Sequence, residues 1–176
     1  ASGTPTYCLE GSLFNAGTVV QWLRDGLQII EQADEVNALA QSVPDSGGVM
    51  LVPAFTGWGT PHWDPQARGV LVGLTRDSNR GHIARAALEG IALSVATLVE
   101  LAGEALGHDL GELAVDGGAA ASDPLLQAQA DSTGLTVRRP RNLESTARGI
   151  ALFAGVQCGL IPDLSAIAAH RQDDVQ

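Results

Sequence analysis

Residues 113–123, Leu-Ala-Val-Asp-Gly-Gly-Ala-Ala-Ala-Ser-Asp, join an apolar strand to a helix through a pair of glycines. Gly117 and Gly118 let the backbone approach a flat or anionic ligand, because no side chain stands in the way. The helix begins at Ser122 or its neighbour, and the free N–H groups of its first turn favour negative charge. The stretch is therefore compatible with a nucleotide-binding turn and with an ordinary tight turn. It lacks the third glycine of a Rossmann fingerprint.

Strands and helices alternate outward from this turn, judged by apolar periodicity and by Gly and Pro breaks. The pattern predicts strands at 6–9, 48–55, 69–74, 113–115 and 136–139, an ordered loop at 56–68, and helices at 14–27, 31–41, 79–106, 123–132, 145–158 and 164–170. This alternation is typical of a layered α/β domain. At about 100–200 residues per domain, 1–176 predicts a single domain, and we expect 163–176 to form a frayed tail.

The composition excludes several classes of protein. The chain has 176 residues, a net charge of −10, 45% hydrophobic and 17% charged residues, and no lysine. An acidic balance argues against nucleic acid or an anionic membrane as partner. The absence of lysine excludes a Walker-type P-loop and Schiff-base chemistry, so any phosphate must be held by backbone N–H groups, hydroxyls or arginine. No apolar run approaches the ~18 residues of a membrane span, and we expect a cytoplasmic protein.

The sequence contains no recognisable catalytic or metal-binding set. Cys8 and Cys158 stand far apart and indicate reduced thiols, and the four histidines lack the spacing of metal ligands. No Ser/His/Asp set or carboxylate pair can be placed from spacing alone. The predicted catalytic and metal-binding residues are therefore none. The arginines of 138–141 are interpreted as a solvated strand end rather than an anion site.

Gly17 and Gln21 form a second candidate contact. They lie four residues apart on the first predicted helix and therefore share a face. Gly17 is in the first turn, where a backbone N–H is free to meet a phosphate, and the amide of Gln21 could reach the same ligand. The alternative is that Gly17 only permits close packing and that Gln21 is solvated.

Several long motifs occur together in one order. They are Tyr-Cys-Leu-Glu-Gly-Ser-Leu-Phe-Asn-Ala-Gly-Thr-Val-Val-Gln-Trp-Leu-Arg-Asp at 7–25, Pro-Ala-Phe-Thr-Gly-Trp-Gly-Thr-Pro-His-Trp-Asp-Pro-Gln-Ala-Arg-Gly at 53–69, Gly-Val-Leu-Val-Gly-Leu at 69–74, His-Ile-Ala-Arg-Ala-Ala-Leu-Glu at 82–89 and Asp-Gly-Gly at 116–118. With these motifs, the chain resembles the C-terminal domain of the FGGY family of carbohydrate kinases.

The resemblance implies a ribonuclease-H-like, actin-like ATPase domain, with a mixed sheet flanked by helices, that closes over a cleft with a second domain. It implies that this half holds ATP or ADP. Gly17 and Gln21 would contact the nucleotide from the first helix, Gly117 and Gly118 would support the adenosine, and Ser122 stands where the family usually has asparagine. Mg²⁺ would be bound mainly through the phosphates and the other domain.

The resemblance also implies an activity. Residues 21–25 and 53–69 favour the members that move the γ-phosphoryl group of ATP to glycerol, giving glycerol 3-phosphate, over members acting on a sugar such as xylulose. The family's glycerol-binding residues and Asp base precede the region seen here, so we expect glycerol to be bound by an N-terminal domain and this chain to be inactive alone. Members often form homo-oligomers. A non-catalytic nucleotide-binding module is the alternative from another class.

Overall fold

A computed structural model of the chain describes residues 5, 7–170 and 173–175. Within these ranges the α-helices are α1 Gly17–Asp25, α2 Glu35–Gln41, α3 Arg80–Leu106, α4 Asp123–Thr133 and α5 Ser145–Gln157. The strands are β1 Met50–Val52, β2 Val70–Val72, β3 Glu112–Ala114, β4 Thr136–Pro140 and β5 Asp173–Val175. Two 3-10 helices span Gly118–Ala121 and Ser165–His170.

The strands form two small sheets. β1 and β2 are an antiparallel pair with Leu51 opposite Leu71. β3 and β4 are parallel, with Leu113 opposite Val137, and β5 adds to β4 in the antiparallel sense. The second sheet is therefore mixed, and helices pack beside both sheets, which confirms the predicted α/β class.

The long helix α3 organises the core. Its buried side is rich in small residues, including Ala84, Ala87 and Ala92, and α2, α4 and β1 all pack against it. Gly90 allows the closest approach, because a Cβ there would lie 2.3 Å from the carbonyl oxygen of Leu51. By length and composition α3 could cross a membrane, contrary to the expectation that no apolar run approaches that length. It packs here as a core helix.

Asn79 caps α3 and should contribute measurably to stability. Its side-chain oxygen accepts from the N–H groups of Gly81 and His82, and the Nδ1 atom of His82 accepts from the N–H of Asn79, which completes a capping box. We expect Asn79→Ala to lower the free energy of unfolding by about 1 kcal/mol in urea denaturation. Asn79→Ser is the control, since serine can cap equally well and should leave stability nearly unchanged. Equal losses in both variants would contradict this role.

Two predicted elements differ from the structure near the N-terminus. Residues 7–10 have no regular secondary structure, so the predicted strand at 6–9 is wrong for its described part, and Thr6 lies outside the described residues. The helix predicted from 14 begins only at Gly17 because the preceding residues bond to the loop at 56–68. The N–H of Ser12 donates to the hydroxyl of Thr60, whose own N–H donates to the carbonyl of Ser12.

The C-terminal segment contains regular structure where it is described. Ser165–His170 forms a 3-10 helix and Asp173–Val175 pairs with β4. Residues 171, 172 and 176 of the predicted tail lie outside the described ranges. Whether 163–176 frays in solution stays a prediction.

Candidate nucleotide-binding site

The turn between β3 and α4 keeps its two glycines open. Gly117 has φ 78° and ψ 178°, a left-handed conformation that favours glycine, and its N–H donates to the carbonyl of Leu143 at 2.9 Å. Gly118 is exposed and begins the short 3-10 helix. A Cβ on either residue would meet no atom within 4 Å. Protein packing therefore does not require glycine at 118, and the space beside it is available to a ligand.

Arg139 braces this turn from β4. Its guanidinium donates to the carbonyl of Ala120 at 3.0 Å and to the carboxylate of Asp123 at 2.7 Å. Arg138 pairs with Glu112 at 2.5 Å. Arg138 and Arg139 are partly buried and ion-paired, so the interpretation as a solvated strand end is wrong for these two residues, whereas Arg141 is exposed. Sequence reasoning missed Arg139 as a positioning residue, since its partners lie 16 and 19 residues away.

Ser122 is held inside the protein. It is 9% exposed, and its hydroxyl oxygen accepts from the N–H of Leu125 at 3.3 Å and so caps α4. The same hydroxyl donates to the side-chain oxygen of Asn37 on α2 at 2.5 Å. The donor of the hydroxyl is therefore engaged, and this contact ties α2 to α4. A direct contact of Ser122 with nucleotide stays a prediction.

Gly17 and Gln21 lie on the solvent side of α1. Both are exposed, and a Cβ on Gly17 would meet nothing within 4 Å. Val19 and Leu23 on the opposite side are fully buried and hold the helix in the core. Ala16, the residue before the helix, provides no side-chain cap. The first turn of α1, whose backbone N–H groups have no partners within the helix, is therefore exposed at Gly17.

The two halves of the candidate site share one framework. α1 packs on α3, and α4, whose first turn follows the glycine pair, packs on α3 and α2. Both halves are therefore positioned by the same long helix. Whether Gly17 and Gln21 reach the same ligand as Gly118 stays a prediction.

The charged residues that follow Gln21 in α1, Arg24 and Asp25, are paired with each other. Arg24 donates to both carboxylate oxygens of Asp25, at 2.7 and 2.9 Å. This hydrogen bond holds the pKa of Asp25 below its usual range, although the pair is exposed to solvent. Arg24 is therefore engaged in an ion pair rather than presented to a phosphate.

Comparison with known proteins identifies the family. The model for the C-terminal domain of the FGGY carbohydrate kinases matches residues 1–158. The chain belongs to the FGGY family of carbohydrate kinases. It is 55% identical to a glycerol kinase of Aromatoleum aromaticum over 168 residues, which is 96% of this chain and 34% of that protein. It is 57% identical to a glycerol kinase of Citrifermentans bemidjiense over 93% of this chain and 33% of the relative. The chain thus spans about a third of these relatives.

Solved FGGY kinase structures share the fold. The Plasmodium falciparum glycerol kinase with ADP superposes with a TM-score of 0.78 at 30% identity, covering 90% of this chain and 32% of that one. A ligand-bound xylulose kinase from Lactobacillus acidophilus gives 0.75 at 29% identity, over 93% and 34%. These similarities confirm the predicted actin-like ATPase domain of the FGGY type. The fold comparison does not separate glycerol kinases from sugar kinases, since a glycerol kinase and a xylulose kinase have similar TM-scores. The two sequence relatives named above are both glycerol kinases.

Proposed function

We propose that this chain is the nucleotide-side domain of an ATP-dependent glycerol kinase. The supporting observation is the open glycine turn at the start of α4, in a chain 55% identical to a glycerol kinase over 96% of its length. The full-length parent would transfer the γ-phosphoryl group of ATP to glycerol. A sugar such as xylulose is the second candidate substrate, because a xylulose kinase shares the fold at a TM-score of 0.75.

The residues of this chain would bind and orient the nucleotide. Gly118 leaves room for the adenosine, and the N–H groups at the start of α1 carry the partial positive charge that stabilises phosphate. Arg139 keeps the turn rigid, so the binding surface is formed before the ligand arrives. Phosphoryl transfer depends mainly on such positioning and on charge stabilisation.

The magnesium ion would enter with the phosphates. Among the described residues there is no group of three or more His, Cys, Asp or Glu side chains that could hold a metal. We therefore propose that Mg²⁺, which neutralises phosphate charge during transfer, is held by ATP and by parts of the parent outside this chain.

We also propose a cytoplasmic location, supported by the exposed free thiols of Cys8 and Cys158. Cell fractionation would test it.

We expect the purified chain to bind ATP weakly and to show no turnover. A half-cleft contacts one side of the nucleotide and cannot exclude water, so the affinity should be on the order of millimolar, or about −4 kcal/mol. Isothermal titration calorimetry with Mg-ATP measures the binding, and a coupled assay for glycerol 3-phosphate measures the activity. Nanomolar binding, or detectable glycerol phosphorylation by this chain, would contradict the proposal.

The full-length parent is the positive control. It should phosphorylate glycerol faster than xylulose under matched conditions, since the relatives that share 55% and 57% sequence identity with this chain are glycerol kinases. A parent that binds ATP but phosphorylates neither substrate would support the non-catalytic module instead. The reading frame upstream gives an inexpensive check, because an actin-like first domain with an aspartate base supports the enzyme.

A further inference from the structure

The side-chain amide of Asn37 is held in one orientation beside the start of α4. The hydroxyl of Ser122 donates to the Oδ1 atom of Asn37 at 2.5 Å, although the two residues are 85 positions apart in the chain. This separation suits a bond between two oxygens and is too short for a bond from an amide nitrogen, which spans about 2.7–3.2 Å. The carbonyl side of the amide therefore faces Ser122, and the amide nitrogen Nδ2 is directed away from the hydroxyl.

The Nδ2 atom of Asn37 carries two donors that the protein does not use. Asn37 is half-buried, its Nδ2 atom is not enclosed, and no group among the described residues accepts a hydrogen bond from it. The two N–H groups are therefore open to solvent. The hydroxyl of Ser122 has its single donor engaged with Asn37 and accepts from the N–H of Leu125. A donor for a ligand at this position is thus supplied by Asn37.

This amide lies within the length of one nucleoside from the open glycine. Ser122 directly follows the 3-10 helix Gly118–Ala121, and at about 2 Å per residue it lies roughly 8 Å from Gly118. The exposed residues of that short helix are glycine or alanine, so no long side chain stands between the two positions. From amide bond lengths, Nδ2 of Asn37 lies within about 5 Å of the Ser122 hydroxyl. A nucleoside beside Gly118 can therefore reach Asn37 with its base.

We propose that the Nδ2 atom of Asn37 donates a hydrogen bond to a ring nitrogen of the adenine base. The unprotonated ring nitrogens of adenine are acceptors, and Asn37 presents only donors to them because Ser122 occupies its oxygen. Ser122 is then a positioning residue, which orients the amide before the ligand arrives. This inference rests on the proposed nucleotide-binding function and places the base, rather than the phosphates, on the α2 side of the glycine turn.

NMR spectroscopy of the isotope-labelled 176-residue chain tests the proposal, because the two side-chain N–H groups of Asn37 give signals of their own. With ATP added from about 0.1 to 10 mM, a range that suits millimolar affinity, we expect these signals to shift together with the backbone signal of Gly118. Inorganic tripolyphosphate should leave the side-chain signals of Asn37 in place, since it has no base.

The Asn37→Asp variant separates donation from packing. Aspartate keeps an oxygen that accepts from Ser122 and loses both donors, so ATP binding should weaken about five- to tenfold. Gln41→Glu is the matched control, because it makes the same amide-to-carboxylate change at an exposed position one turn later on α2. It should change the affinity for ATP less than about twofold. Both variants should bind tripolyphosphate equally, which would exclude charge repulsion as the cause.

The outcomes distinguish this contact from the nucleotide site itself. A shift at Gly118 without one at Asn37 would overturn the inference and leave the glycine turn as the site. No shift at either residue would overturn the proposed function as well. Unchanged ATP affinity in Asn37→Asp would show that Asn37 only joins α2 to α4. Asn37→Ala is the second variant if Asn37→Asp alters the urea midpoint, and the same loss of ATP binding is expected from it.

Discussion

The Gly118→Leu variant is expected to lose nucleotide binding while remaining folded. Gly118 is exposed, its φ lies outside the left-handed region, and a Cβ there would meet no protein atom within 4 Å. A leucine side chain would instead fill the space proposed for the adenosine. Starting from an affinity on the order of millimolar, a loss of tenfold or more would make binding undetectable by calorimetry.

A matched substitution separates the ligand effect from folding. Gly111→Leu adds the same side chain just before β3. Gly111 is also an exposed glycine, and a Cβ there would meet no atom within 4 Å. We expect both variants to keep the free energy of unfolding of the wild type within about 0.5 kcal/mol, and only Gly118→Leu to lose binding. If Gly118→Leu folds normally and binds ATP unchanged, the glycine turn is not the nucleotide site.

Local patterns predicted the parts of the fold that depend on neighbouring residues. Asn79 and the apolar stripe after it predicted α3 almost to the residue, and Ser122 correctly marked the start of α4. The glycine pair predicted the turn because the left-handed φ of Gly117 is a local requirement. These features need only a cap, a period or a backbone conformation, all of which short stretches of sequence encode.

Features that depend on distant residues could not be predicted in the same way. The predicted start of α1 at residue 14 is too early because Ser12 bonds to Thr60, 48 residues away. The bond from Ser122 to Asn37 spans 85 residues, and the bracing role of Arg139 requires β4 to lie beside the turn. Side-chain hydrogen bonds between elements follow from tertiary packing, and no spacing rule along the chain identifies them.

A large loss of stability is expected from Gly90→Ala. Gly90 is buried where α3 crosses β1, and the added Cβ would lie 2.3 Å from the Leu51 carbonyl oxygen, a backbone atom that cannot rotate away. Relieving this overlap requires α3 to move away from β1, and both halves of the candidate site rest on α3. Overpacking of this kind costs about 2–3 kcal/mol, which exceeds the gain of up to ~1 kcal/mol from replacing a helical glycine.

Gly149→Ala supplies the same chemical change without the overlap. Gly149 lies inside α5, and a Cβ there would meet nothing within 4 Å. At that position alanine adds its higher helix propensity and causes no overlap, so this variant should be more stable than the wild type by about 0.5–1 kcal/mol. Urea denaturation followed by circular dichroism measures both changes. Opposite signs for one substitution would show that the approach of α3 to β1 determines the cost. A stabilised Gly90→Ala protein would mean that the two elements are not packed as closely as described.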